Sequence, residues 1–158
     1  MNEPLPDPSP NPLTFEMPAG ACDAHFHLFP PVSDYPLAPD ARYQPGVTTN
    51  ADYQAMARAV GLERGIIVQP TAYGVDNSVI VDTLEENPNY RGIGSVAPDV
   101  SKEELRRLDR AGVKGIRMSA IPRGEAAFDY VRALARIAAD MGWHVQAYIG
   151  PGMVLKLA

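Results

Sequence analysis

Two histidines stand two residues apart within residues 20–29, which read GACDAHFHLF. If this segment is a strand, its side chains alternate between faces, so His25 and His27 point the same way and Phe26 points the opposite way. Two imidazoles aimed into one cavity can hold a metal or polarise a carbonyl. The same spacing is found in surface histidines of edge strands, so the pair needs support from the rest of the chain.

Two arginines, Arg117 and Arg123, supply a second kind of chemistry. Arg117 lies between Ile116 and Met118 in an otherwise apolar segment, which predicts a buried or half-buried guanidinium that needs an anion nearby. The guanidinium fork pairs with carboxylates bidentately, so two guanidiniums at one rim suit a polycarboxylate ligand. Two alternatives stay open, a structural carboxylate partner for Arg117 and a solvated loop position for Arg123.

The elements that would position these residues alternate between strands and helices. Short apolar segments between glycines and prolines predict strands at residues 20–29, 64–69, 90–97, 113–119 and 143–149. Amphipathic segments with capping residues predict helices at residues 50–60, 78–86, 102–110 and 126–141, with another beginning at residue 151. In the first helix we expect a buried stripe made of Ala55, Met56, Ala59 and Val60.

This alternation predicts a parallel sheet with right-handed crossovers. An open doubly wound sheet usually has a Gly-rich phosphate turn after its first strand, but here histidines and a proline-rich loop at residues 30–48 follow it. The fold class we expect is therefore α/β, an incomplete TIM (β/α)8 barrel with about five parallel strands and four complete βα units. Residues 1–18 hold six of the 16 prolines and are expected to be a disordered arm, and residues 19–158 form the barrel part.

In both architectures ligands bind at the carboxyl ends of the strands. Besides the histidine pair and the two arginines, the polar residues that the sequence places there are Tyr43, Gln69, Thr71, Tyr73, Ser119, Gln146 and Tyr148. His144 lies near the start of the last strand, so we interpret it as a core histidine. Asp23 shares the parity of the histidines but lies one step further from this rim.

Composition excludes several classes of function. The 158-residue chain has a net charge of −5, which argues against a nucleic-acid or membrane-surface partner. Residues 1–12 lack the basic and apolar regions of a signal peptide, and no apolar segment approaches the length of a membrane span. The single cysteine, Cys22, cannot form an intrachain disulfide, which favours the cytoplasm, and we interpret it as a small core residue.

Four segments, CDAHFH, IVQPTAYGVDN, GIRMSAIPR and WHVQAYIG, together resemble the amidohydrolase superfamily. Within it they are similar to the amidohydrolase-2 group, in the branch that contains 2-pyrone-4,6-dicarboxylate lactonase. The resemblance covers residues 19–158, the N-terminal portion of the family barrel. It implies a hydrolase of aromatic catabolism in which water attacks the ring ester of a carboxylated lactone.

The resemblance also implies roles for individual residues. His25 and His27 would be catalytic by polarising the lactone carbonyl, with no metal or other cofactor. The substrate would be bound at the rim, with its carboxylates held by Tyr43, Arg117, Arg123 and Tyr148. Thr71 and Tyr73 fall where the family has serine and histidine, so Tyr73 is a departure that bears on the exact substrate.

The sequence departs from the family a second time because members continue for three more strands. Those strands supply a further histidine and an aspartate that activates water, whereas the histidines here are His25, His27 and His144. We therefore expect the 158-residue chain to be inactive alone. Two other classes stay open: a Zn- or Mn-dependent hydrolase or decarboxylase with His25 and His27 as ligands, and a non-catalytic fragment or binding module. The sequence leaves the oligomeric state open.

Overall fold

The computed structural model describes residues 13–119, 127–150 and Gly152. Within these residues five strands alternate with four α-helices, and a single 3-10 turn, Thr71–Tyr73, follows the second strand. In chain order the elements are β1 (Cys22–Phe26), α1 (Asn50–Ala59), β2 (Arg64–Val68), α2 (Ser78–Glu86), β3 (Tyr90–Gly94), α3 (Lys102–Ala111), β4 (Val113–Ser119), α4 (Ala127–Met141) and β5 (His144–Tyr148). The five predicted strands and the four helices predicted between them are confirmed, with ends that shift by a few residues.

The five strands form one parallel sheet in the order β1-β2-β3-β4-β5. Neighbouring strands in the chain are neighbours in the sheet, and each crossover carries a helix. This is the strand order of a TIM barrel, in which the sheet curls with the helices outside. The expected incomplete α/β barrel is confirmed.

Local signals fix where the helices begin. Thr49 caps α1 in a capping box, because its hydroxyl accepts from the Asp52 amide while the Asp52 carboxylate accepts from the Thr49 amide. Ser101 caps α3 by accepting from the Glu104 amide. Gly112 ends α3 at φ 109°, a left-handed conformation that other residues rarely adopt. The segments between predicted strands therefore become helices of the expected lengths.

The predicted buried stripe of α1 is wrong. The buried residues are Tyr53 and Ala57, whereas Ala55 and Ala59 are exposed. The Tyr53 ring stacks on Phe26 of β1 with centroids 3.6 Å apart. Burial of this large aromatic ring against the sheet sets the rotation of the helix, and small alanines cannot compete with it.

Strand β1 contains a bulge that the sequence pattern does not reveal. Asp23 pairs with Gly65 and Phe26 pairs with Ile67, so β1 carries one residue more than β2 between these pairs. The bulge changes the alternation, and the Asp23 carboxylate accepts a hydrogen bond from the Tyr53 hydroxyl at 3.3 Å. The expectation that Asp23 shares the parity of the histidines is therefore wrong, because its carboxylate faces α1.

Two side chains expected in the core are exposed. Cys22 lies on β1 and His144 lies on β5, the two edge strands of the described sheet. Among the described residues no further strand covers the outer side of either edge. Trp143, beside His144, is buried, and its indole N–H donates to Asp109 Oδ1 at 3.0 Å. Arg123, residues 1–12 of the predicted arm and the helix predicted from residue 151 lie outside the described residues, Gly152 excepted. In the described part of the chain no helix is long and apolar enough to cross a membrane.

Candidate active site

The two histidines meet at the carboxyl end of β1. Their Nε2 atoms lie 3.3 Å apart, and their rings are nearly perpendicular, with centroids 4.9 Å apart. His27 Nδ1 lies 2.7 Å from the carbonyl oxygen of Val68, the last residue of β2. A carbonyl oxygen can only accept, so His27 donates from Nδ1 and, when neutral, carries its lone pair on Nε2. The backbone of β2 therefore fixes the orientation and the tautomer of His27.

The curl of the sheet brings residues from distant strands to this pair. His25 Nδ1 lies 3.3 Å from Nε2 of Gln146 on β5, and His25 Nε2 lies 3.4 Å from Nη1 of Arg117 on β4. In a flat sheet β1 and β5 would lie about 19 Å apart, four spacings of about 4.8 Å. Side chains on these strands meet only because the sheet curls around a common interior. The strand ends thus form one wall around His25.

Arg117 is half-buried, as its sequence context predicts. Its Nε is buried and has no hydrogen-bond partner, and no carboxylate of the described residues lies within ion-pair distance of it. The ion pairs of the described residues are Arg107–Glu104 and Lys114–Asp109, both on the outside of the sheet and its helices. A structural carboxylate partner for Arg117 is thus absent from the described part of the chain. Burial lowers the pKa of this guanidinium, more than the nearby Tyr43 and Tyr148 raise it.

The electrostatics of the site favour neutral imidazoles. Burial lowers the pKa of His25, and the nearby positive charge of Arg117 lowers it further, against a raising effect of Asp23. Burial also lowers the pKa of His27, more than the hydrogen bond to Val68 raises it. Both rings therefore carry one proton near neutral pH, the state in which an imidazole can either donate or accept.

An aromatic group borders the histidines on the side of β2. Phe29 lies between His27 and Tyr73, with ring centroids 6.1 and 6.2 Å away. The Tyr73 hydroxyl is buried without a hydrogen-bond partner, and burial raises the pKa of this phenol to about 12, so it stays a neutral donor. Tyr43 packs edge-on against Phe29 at 6.4 Å and is exposed. On its side of the site this aromatic group therefore presents hydroxyl groups, those of Tyr73 and Tyr43, and not charged side chains.

The loop that carries Tyr43 is anchored at several points. Its ends are joined by paired backbone hydrogen bonds between Phe29 and Thr48, each 2.8 Å long. In its middle, the Tyr35 hydroxyl donates to Asp82 Oδ2 of α2 at 2.7 Å. The proline-rich loop is therefore an ordered part of the rim.

The remaining candidate residues occupy different positions. Gln69 is fully buried, and its amide donates to the Asp76 carbonyl at 2.6 Å, so it shapes the turn after β2. Thr71 is exposed on the 3-10 turn, Ser119 is half-buried at the end of β4, and Tyr148 is 57% exposed at the end of β5. Arg123 lies outside the described residues. Binding roles for these residues stay predictions.

Most of the unpaired buried polar atoms in the described residues lie at this rim. In the described residues five buried side-chain nitrogen or oxygen atoms have no hydrogen-bond partner, and four of them lie on β4, on β5 or in the turn after β2. These four are Gln69 Oε1, Tyr73 Oη, Arg117 Nε and Gln146 Oε1. Buried polar groups are almost always paired in native proteins, so each unpaired group calls for a partner such as a bound ligand or a water. The rim therefore offers four buried polar atoms that a ligand or a water could pair.

The described residues fit a metal only in part. The 3.3 Å between the histidine Nε2 atoms suits two ligands of one tetrahedral zinc, whose Zn–N bonds of about 2.0–2.1 Å place adjacent nitrogens about that far apart. No group of three or more metal-ligating side chains exists in the described part of the chain. In addition, the Arg117 guanidinium lies 3.4 Å from His25 Nε2, where it would repel a cation. These residues supply too few ligands for a metal centre.

Gln146 contacts His25, a role that its position at the rim does not predict: its amide nitrogen lies 3.3 Å from His25 Nδ1. Gln146 has the parity of Tyr148 and pairs in register with Arg117 of the neighbouring strand β4. The curl of the sheet brings β5 opposite β1, and the alternation of residues along one strand carries no information about that curl.

Comparisons with known proteins agree with this architecture. A profile of the amidohydrolase family matches residues 22–156. A 2-pyrone-4,6-dicarboxylate hydrolase of Comamonas testosteroni is 35% identical over 143 residues, which are 89% of this chain and 47% of that protein. A 4-sulfomuconolactone hydrolase of Hydrogenophaga intermedia is 34% identical over 155 residues, which are 94% of this chain and 50% of that protein.

A solved structure shows the same fold. A crystal structure of an Agrobacterium tumefaciens protein, at 22% identity, superposes with a TM-score of 0.83 and covers 95% of this chain and 53% of that one. The chain spans about half the length of the curated relatives it matches.

Proposed function

The chain belongs to the amidohydrolase family, and from this membership we propose that the protein hydrolyses the ring ester of a lactone that carries carboxylates. Two of its relatives are named as hydrolases of a pyrone dicarboxylate and of a sulfomuconolactone, and both names describe anionic rings. The proposed reaction is attack of water on the lactone carbonyl, with development of negative charge on its oxygen.

One observation carries this proposal, the Arg117 guanidinium. It is half-buried, has no carboxylate partner in the described residues and stands 3.4 Å from His25. A desolvated guanidinium without a partner is costly, and an anionic ligand would offset that cost. A carboxylate on Arg117 would place an attached ring against the histidine pair. Arg123, Tyr43 and Tyr148 are the further proposed contacts of the substrate carboxylates, with Gln69, Thr71 and Tyr73 lining the rest of the site.

The histidines would act on the lactone carbonyl. Their lowered pKa values keep both rings neutral at neutral pH, so a ring N–H can donate to the oxyanion without competing with Arg117 for the carboxylate. We propose that this requires no metal or other cofactor. A small-molecule lactone is the proposed partner, and the cytoplasm is the proposed compartment.

The base that activates water is proposed to lie outside the described residues. Asp23 is the acid that raises the pKa of His25, but one of its oxygens accepts from the His25 amide and the other from Tyr53. These contacts hold its carboxylate away from the carbonyl side of the histidines. We therefore propose that residues 19–158 supply the carbonyl- and carboxylate-binding half of a site, behind a Pro-rich arm of residues 1–18, and that the purified 158-residue chain does not turn over lactones.

The experiment compares ester hydrolysis by the whole protein on 2-pyrone-4,6-dicarboxylate and on unsubstituted 2-pyrone. The proposal requires turnover of the dicarboxylate that exceeds turnover of 2-pyrone at least tenfold. Equal rates on the two lactones, or no hydrolysis of any carboxylated lactone, would reject it. In the same assay, lactone turnover by the 158-residue chain above background would reject the half-site proposal.

A metal-dependent hydrolase or decarboxylase is the second candidate. The observation that favours it is the 3.3 Å separation of the two Nε2 atoms, which suits adjacent zinc ligands. Activity of the whole protein before and after chelation, followed by addition of zinc or manganese, separates the two candidates. Loss on chelation with recovery by metal would replace the metal-free proposal.

A further inference from the structure

The amide of Gln146 approaches the His25 ring on the side away from His27. We propose that Gln146 is a positioning residue that holds the proton of His25 on Nε2, so that His25 alone of the two histidines donates a hydrogen bond to the lactone carbonyl. The lactone in this statement rests on the proposed function, whereas the proton positions rest on the geometry and can be tested without a substrate.

The first step is the tautomer of His27. Its Nδ1 lies 2.7 Å from the Val68 carbonyl oxygen, an atom that has no proton to give. Neutral His27 therefore carries its proton on Nδ1 and presents a lone pair at Nε2. In this state His27 can accept a hydrogen bond at the site but cannot donate one there.

The second step is the tautomer of His25. Its Nε2 lies 3.3 Å from His27 Nε2, the atom that carries the lone pair of neutral His27. If His25 also presented a lone pair at Nε2, two lone pairs would face each other at hydrogen-bond distance. If His25 carries its proton there, the same spacing is a hydrogen bond from His25 to His27. The spacing thus favours the proton on Nε2.

The third step is the partner of His25 Nδ1. With its proton on Nε2, the ring has a lone pair on Nδ1, and that atom lies 3.3 Å from the Gln146 amide nitrogen, a donor. Donors and acceptors then alternate without conflict from Gln146 to His25, from His25 to His27 and from His27 to the Val68 carbonyl. The relay joins β5, β1 and β2.

Arg117 supplies a positive charge beside this relay but is not one of its hydrogen-bonded groups. Its Nη1 lies 3.4 Å from His25 Nε2, and both nitrogens would be donors, so the contact is an approach of two donors without a hydrogen bond. The guanidinium therefore keeps its N–H groups for an anion. When a carbonyl oxygen enters between them, the single N–H of His25 can turn from His27 to the substrate and point at it together with the N–H groups of Arg117, while Gln146 continues to orient the His25 ring.

The test is the tautomer of each ring in the whole chain, read from long-range proton–nitrogen correlations of labelled histidines without a substrate. In the wild type we expect His25 to be protonated on Nε2 and His27 on Nδ1. Gln146→Glu keeps the shape but replaces the amide donor by a carboxylate acceptor, so His25 should change to the Nδ1-protonated tautomer while His27 keeps its own. Gln54→Glu, on α1 and remote from both rings, is the matched control and should change neither.

Two results would overturn the inference. One is a wild-type His25 protonated on Nδ1, a measurement that needs no variant to fold. The other is a His25 tautomer that does not respond to Gln146→Glu in a folded protein. If the whole protein prefers carboxylated lactones but His25 has the other tautomer, this inference is rejected and the proposed function stands. If the tautomers are as expected but the whole protein hydrolyses no lactone, the proposed function is rejected and this inference stands.

Discussion

Arg117 on β4 approaches His25 on β1 with its Nη1 atom 3.4 Å from the imidazole Nε2. Three strand spacings separate these residues along the sheet, so the contact exists because the sheet curls. It places a partly desolvated guanidinium beside a ring whose pKa it helps to lower. Such a guanidinium costs stability unless an anion pairs with it.

Arg117→Gln should therefore weaken anion binding without weakening the fold. A charge-assisted hydrogen bond contributes about 1.5–3 kcal/mol, which corresponds to a rise of about 10- to 150-fold in the Kd for a lactone dicarboxylate. The melting temperature should stay unchanged or rise, because a half-buried charge without a partner is removed. Calorimetric titration and thermal melting of the same samples measure the two effects.

The matched control is Arg107→Gln, which removes an exposed guanidinium paired with Glu104 on α3. It should leave the Kd unchanged. A large drop in the melting temperature of the Arg117 variant would indicate a structural partner and contradict our account.

Stability should fall as the pH is lowered through the range of the histidines. Burial lowers the pKa of His25 and of His27 in the folded state below the ordinary value of 6.5. The unfolded chain therefore binds more protons in the interval below 6.5, and the free energy of unfolding decreases as the pH is lowered from about 6.5 until the folded-state pKa values are passed. Urea unfolding at a series of pH values from about 7.5 to 5 measures this slope.

A double variant, His25→Gln with His27→Gln, should unfold with a flatter dependence on pH, because the protons that cause the slope are gone. His144→Gln, at the opposite end of the sheet, serves as the control and should retain the wild-type slope. Equal slopes in the wild type and the double variant would show that the pair does not titrate as stated.

Tyr73→Phe, like Arg117→Gln, should weaken lactone binding without lowering the stability of the fold. The Tyr73 hydroxyl is buried without a partner, and such a group costs about 1–3 kcal/mol. Its removal should therefore raise the free energy of unfolding by up to about 1 kcal/mol while lactone binding weakens by about tenfold. Tyr53→Phe is the comparison, since that hydroxyl is bonded to Asp23 and its loss should not stabilise the protein. Destabilisation by Tyr73→Phe would mean that the hydroxyl has a structural partner.

The close packing of α2 on the sheet depends on Gly92. A Cβ at this position would lie 2.8 Å from Leu84 Cδ1 and 2.9 Å from Ile80 Cγ2, closer than carbon atoms approach. Gly92→Ala should therefore lower the free energy of unfolding by about 1–3 kcal/mol through overpacking. At Gly150 a Cβ meets nothing within 4 Å, so Gly150→Ala should be neutral. Denaturant melts of the two variants test this difference, and equal stability would contradict it.

The sequence predicts the elements well because the local signals are strong. Helices α1 and α3 begin at the capping residues Thr49 and Ser101, α3 ends at Gly112, and the apolar segments become parallel strands in chain order. It also predicts that the histidine pair shares one face and that Arg117 is half-buried. These features depend on alternation and capping, which neighbouring residues determine.

The features that the sequence does not predict depend on tertiary geometry. The bulge in β1 turns Asp23 toward Tyr53, although strict alternation puts it with the histidines. Cys22 and His144 are exposed because they lie on edge strands, which residue type cannot reveal. The contact of Gln146 with His25 follows from the curl of the whole sheet.

The most direct test of the account is the affinity of the purified chain for 2-pyrone-4,6-dicarboxylate and for unsubstituted 2-pyrone, with and without Arg117→Gln. We predict that the wild type binds the dicarboxylate at least tenfold more tightly than 2-pyrone, and that the substitution removes this preference. Equal affinity for the two lactones in the wild type, or a preference that survives Arg117→Gln, would contradict the claim that this rim binds a carboxylated lactone through Arg117.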